Sequence, residues 1–188
     1  MTRLVRTPVV PDALAEYRVA PLFSVSLGKL ALMSYCSFGV YEWYWFRKQW
    51  ESERERGDEQ INSILRALLA PLYGFNLFRR LRAAAQAGGV PATWPAFSLG
   101  LAYLLLSLAW LLPLQPLTYL SALSFAPLLV VQRSVNALNV ASAPHVPRND
   151  QFSAAELTLM VIGAALHVLV FMVLRQLDDL MTILQNAA

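Results

Sequence analysis

Charge is scarce in this chain. Only 14% of its 188 residues are Asp, Glu, Lys or Arg, while 57% are apolar. Soluble domains carry about 25% charged and 45–50% apolar residues, so the shortfall points to a protein that meets lipid. Cysteine is scarcer still. Cys36 stands alone, which excludes an intrachain disulfide and leaves redox compartment undefined. His145 and His167 are the two histidines, too few for a closed metal site. Neither metal nor cofactor is expected. The P-loop, G-x-G-x-x-G, H-E-x-x-H, G-x-S-x-G and cysteine-pair patterns are all missing. Asp178 and Asp179 are adjacent, point to different helix faces and make a poor catalytic pair. No enzyme is expected. Pro8, Pro11, Asp12 and Glu16 interrupt any early apolar core, so no signal peptide is expected either.

The charges that are present are unevenly placed. The net charge is +3 and the isoelectric point about 9.2. Eight of the 15 Lys and Arg residues fall between Arg47 and Arg82. In so apolar a chain this cluster reads as a membrane-topology signal rather than a nucleic-acid surface. The positive-inside rule then makes the loop 47–93 cytoplasmic.

Aromatics crowd one change-over, F-G-V-Y-E-W-Y-W-F-R-K-Q-W from Phe38 to Trp50. Amphipathic rings favour the headgroup layer, so Trp43, Trp45, Trp50 and, further on, Trp94 are candidate interfacial anchors. The pattern predicts an all-α fold: a polytopic helical membrane protein. A polar arm over 1–20, with a short surface helix around Asp12–Val19, precedes one helical membrane domain over 21–188. About four transmembrane helices of bilayer length are expected, at 22–46, 94–112, 117–131 and 157–174. The second and third would join through a tight turn at Pro113–Pro116.

Between the first two spans, Ile61, Ile64, Leu65, Leu68, Leu69 and Leu72 form one helical stripe. An amphipathic interfacial or re-entrant helix is expected over 61–86, broken or kinked near Pro71 and Gly74. Arg47, Lys48, Arg66, Arg79, Arg80 and Arg82 would contact anionic lipid headgroups. The charged run after Trp50 suggests a solvated helix with Glu51/Arg54 and Glu53/Arg56 pairs, ended by Gly57. Ser153 and Glu156 form a capping box that opens the last span.

Five polar residues fall in or beside the apolar runs. Lys29 can snorkel from the start of the first span. Glu42 reads as a solvated or locally paired interfacial carboxylate. Asn136 and Asn139 share a helix face with Gln132 and read as inter-helix hydrogen-bonding glue. His167 reads as a packed or hydrogen-bonded core residue. The competing reading places Lys29, Glu42, Asn136, Asn139 and His167 on an ion or proton path.

Three blocks carry a resemblance. K-L-A-L-M-S-Y-C-S-F-G-V-Y-E-W-Y-W-F-R-K-Q-W, I-L-R-A-L-L-A-P-L-Y-G-F-N-L-F-R-R-L and L-S-F-A-P-L-L-V-V-Q-R-S-V-N-A-L-N cover most of Lys29 to Asn139. They resemble a group of small bacterial membrane proteins that has no assigned activity. Arg47 and Gln49 stand where that group carries Tyr and Asn. The resemblance implies a bacterial inner-membrane setting and no catalytic residue. The favoured function is assembly, with itself or a membrane partner, aided by the basic lipid-contacting helix. The alternatives are an oligomeric channel or transporter and, behind it, a membrane enzyme acting on lipids. No nucleic-acid partner is expected.

Overall fold

Ser26 opens the first helix, its hydroxyl accepting the Lys29 N–H, and α1 runs Leu27–Cys36. The computed structural model describes residues 20–57, 60–111 and 119–187. It corrects the expected single span over 22–46. Phe38 and Gly39 take φ of 51° and 86°, and the chain reverses into α2, Val40–Glu55. Glycine adopts the left-handed region freely, whereas for Phe38 it costs about 1–2 kcal/mol. Hydrogen bonds offset that strain. The Gly39 N–H donates to Ser34 O at 2.9 Å, and Ser37 Oγ accepts the Tyr41 N–H at 2.9 Å. As expected, α2 ends at Gly57, which has a φ of 118°.

The helix expected over 61–86 is divided. Asn62 caps α3, Ser63–Leu68. After Leu69 comes α4, Ala70–Ala87, with Pro71 in its first turn. Proline lacks only an N–H that a first turn leaves unpaired, so here it starts a helix rather than kinking one. Gly74 lies unbroken within α4, against the rings of Phe46 and Tyr103.

The span expected at 94–112 is α5, Ala96–Leu108, tightening into a 3-10 turn at Ala109–Leu111. The span expected at 117–131 is displaced. A 3-10 stretch, Tyr119–Leu123, leads to α6, Ala126–Ser142, which has Pro127 in its first turn. The turn expected at Pro113–Pro116 and the helix expected at Asp12–Val19 lie outside the described residues. The last helix, α7, runs Ala154–Ala187 and contains the expected 157–174 span. Its segment Ala154–Ile183 is the one helix among the described residues long and apolar enough to cross a membrane.

Three helical hairpins, α1–α2, α3–α4 and α5–α6, stand side by side. Glu42, just past the first turn, bonds to Ser124 just before α6. Gly74, near the start of α4, lies level with Tyr103 on α5. The three reversals therefore face the same way. Around them Phe38, Val40, Leu68, Leu72, Trp110 and Leu123 are exposed. The other end gathers the linking loops, with Ala92 against Arg82 and Asn149 against Ser24. An aromatic core ties the hairpins together: Phe46 lies 5.1 Å from Trp45, 5.0 Å from Tyr103 and 6.0 Å from Phe78. Trp45 and Trp50 are fully buried here, so neither is an interfacial anchor. On α2 they face the other hairpins, which an aromatic-belt reading of one isolated span does not anticipate.

Candidate functional site

The largest polar cluster is an amide ladder. Gln132, Asn136 and Asn139 occupy one face of α6, at i, i+4 and i+7, and read the backbone of the extended segment 22–25. Asn139 pairs with Leu22 twice, donating to its carbonyl at 2.6 Å and accepting its N–H at 3.2 Å. Asn136 donates to Val25 O at 2.8 Å and accepts from Ser24 Oγ at 2.9 Å. Gln132 donates to Phe23 O and Asn136 Oδ1, and its own Oε1 accepts the Trp45 indole N–H at 2.6 Å. Gln49, from α2, donates to the same Phe23 carbonyl and to Gln132. An extended strand with no sheet leaves its backbone groups needing partners, and these side chains supply them. The glue reading of Asn136 and Asn139 thus has a definite target, although it is a strand and not another helix.

Lys29 does not snorkel. It is 2% exposed, and its ammonium has three donors, all used. They go to Asn149 Oδ1 at 2.8 Å, Gln151 O at 2.6 Å and Glu156 Oε2 at 2.9 Å. Glu156 also closes the expected capping box, accepting the Ser153 N–H while its own N–H donates to Ser153 Oγ. One carboxylate therefore caps α7 and binds it to α1.

Glu42 is also buried, neither solvated nor paired with the nearby Arg47 and Lys48, which bind Glu51 instead. Glu42 accepts the Ser124 hydroxyl at 2.6 Å, with Tyr103 of α5 beside it. His167 stacks on Phe38 at 3.9 Å and on Tyr35 at 4.7 Å, and its Nδ1 lies 2.8 Å from Gly163 O. It is the packed histidine expected. The five candidates for a path therefore fall into separate places. Asn136 and Asn139 belong to the ladder, Lys29 to the α1–α7 joint, Glu42 to the α2–α5–α6 junction, and His167 to the first turn.

The six basic candidates also divide. Arg47 and Lys48 both bind Glu51, at 2.9 and 2.8 Å, which replaces the expected Glu51/Arg54 pair. Burial alone would raise the Glu51 carboxyl, but the hydrogen bonds from Lys48 and Arg47 outweigh it and hold it below its ordinary range. Arg80 lies 3.8 Å from Glu53. Arg66 lies over the Trp50 ring at 4.6 Å and near Tyr73, so it packs against the core rather than reaching out. Arg79 is exposed and Arg82 half-buried. Among the tryptophans, Trp43 is exposed, while Trp94 donates to Ser134 Oγ at 3.0 Å.

Ser24, Tyr103, Ser124 and Asn149 complete these clusters without having been singled out in the sequence, and Gln49 was noted there only as a departure from the resembled group. Their partners are remote along the chain, and no local spacing announces them. Comparisons with protein-family models, with curated proteins and with solved structures find no match to this chain.

Proposed function

We propose that this chain is an integral membrane protein, anchored by α7 as its crossing helix, that works through assembly with itself or a membrane partner and not by catalysis. The surface of α7 carries this reading. Leu157–Leu174 is free of charge and about 27 Å long at the helical rise, which fits a bilayer's hydrocarbon layer. The helix meets the other helices at Glu156, Met160, Gly163 and His167. These form a single stripe at i, i+4, i+7 and i+11. The remaining faces expose Val161, Ile162, Leu166, Val168, Val170 and Phe171. An apolar surface that large is covered by lipid or by another helix.

In this reading the three hairpin turns dip their exposed apolar residues into one leaflet without crossing it. Their charged bases stay on the cytoplasmic side of a bacterial inner membrane, in keeping with the positive-inside rule. The dispersal of Lys29, Glu42, Asn136, Asn139 and His167, each held within the chain, favours assembly over a conduit between subunits.

The test is alkaline carbonate extraction of the full chain from membranes, with cysteine cross-linking at Val161 and Phe171. Retention in the membrane and one defined cross-linked species are expected. Release by carbonate, or a monomer with no cross-link at either position, would overturn the proposal.

A further inference from the structure

A cleft of about 480 Å³ separates α4 from the start of α5, and Arg79 and Arg82 line it. Among the described residues no lining residue is acidic, and residues 83–132 carry no Asp, Glu, Lys or Arg, so α5 brings nothing to neutralise the two guanidinium groups. Arg82 is fixed in place by its Nε, which donates to Ala92 O at 3.2 Å. Arg80 lies between them in sequence but is engaged elsewhere, with Glu53 at 3.8 Å and Asn76 Oδ1 at 3.1 Å. That bond leaves the Asn76 side-chain N–H groups as donors at the cleft's edge.

The rest of the wall is apolar. The Phe75 and Phe97 rings stand 5.5 Å apart, with Phe97 well exposed. Gly100 permits this: a β-carbon there would press into the Phe75 ring. Two guanidinium forks beside aromatic rings complement an anion that carries a hydrocarbon tail better than a bare anion or a neutral lipid.

We propose that this cleft binds the phosphate of an anionic phospholipid. Arg79 and Arg82 hold phosphate oxygens, Asn76 donates a third hydrogen bond, and the first acyl carbons lie along Phe75 and Phe97. The assignment rests on the membrane setting proposed above: with the turns in one leaflet and the charged bases on the cytoplasmic side, the α4–α5 loop at the base end meets the headgroup layer.

The experiment is native mass spectrometry of the full chain in detergent, titrated with phosphatidylglycerol, phosphatidylcholine or inorganic phosphate. Three proteins are compared: the unaltered chain, Arg79→Gln/Arg82→Gln, and a control pair, Arg133→Gln/Arg148→Gln. The unaltered chain should prefer phosphatidylglycerol. The cleft pair should weaken it by about 10- to 30-fold, and the control pair by less than about twofold. Unchanged binding in the cleft pair, equal loss in the control pair, or displacement of phosphatidylglycerol by equimolar inorganic phosphate would each overturn the assignment. Carbonate extraction of the same three proteins reads the anchoring separately. A chain that stays in the membrane without the lipid preference refutes the cleft alone.

Discussion

Trp45 and Val161 are both large apolar side chains on helices, yet Trp45 is 0% exposed and Val161 71%. The contrast holds for the regions around them. In the three-hairpin body, α2, α4, α5 and α6 pack Trp45, Phe46, Phe78, Tyr103 and Leu128 into one core. In α7 a single stripe is covered and the other faces are bare. The body closes an aromatic core with its own chain and leaves its turns apolar and exposed, whereas nearly the whole of α7 needs a surrounding medium or a second molecule. Two apolar side chains on helices can therefore have different roles, and only the positions of their neighbours tell them apart.

Four substitutions probe that contrast. Trp45→Ala should be the most damaging, at about 4 kcal/mol of folding stability from the cavity and the lost bond to Gln132, with carbonate resistance retained. Unfolding in detergent measures it, and a loss below about 1 kcal/mol would show that the body is not a packed core. Val170→Lys should do the reverse, costing about 3 kcal/mol of insertion while leaving the detergent unfolding midpoint in place. A chain that still resists carbonate as well as the unaltered one would remove α7 from the hydrocarbon.

Lys29→Met acts at the join between the two regions. It leaves the Glu156 carboxylate without its cation and should cost about 2–3 kcal/mol. Cys36, buried beneath Gly163, reports on the same joint. Its labelling by a maleimide should accelerate at least tenfold if α7 lifts away; an unchanged rate would mean that the ion pair does not hold the joint. Trp94→Phe removes only the bond to Ser134 and should cost about 1 kcal/mol, a shift of a few degrees at most in thermal unfolding.

The helical class was legible in the sequence, and so was much of α7. The Ser153/Glu156 capping box, the long apolar helix over 157–174 and the shared face of Gln132, Asn136 and Asn139 all follow from local spacing. The reversal at Ser37–Gly39 was hidden inside a continuous apolar run. One glycine there is compatible with an unbroken helix, and only the pairing of Gly39 with a capping serine two residues earlier hinted at a stop and restart. Trp45 and Trp50 were misplaced because an aromatic cluster beside basic residues looks the same whether lipid or protein covers it. The partner of Lys29 lies 127 residues away, beyond the reach of any periodicity.

The amide ladder also bears on the order in which the molecule assembles. Asn139 and Leu22 meet across 117 positions, so closing that contact costs more chain entropy than forming any one hairpin. Segment 22–25 is made early, yet before α6 exists only Gln49 of α2 reaches its backbone, at the Phe23 carbonyl, and Leu22 and Val25 wait for Asn139 and Asn136. In pulse-labelling hydrogen exchange the Leu22 amide should therefore gain protection after those of α2, which makes the opening strand the keystone of the body rather than its foundation.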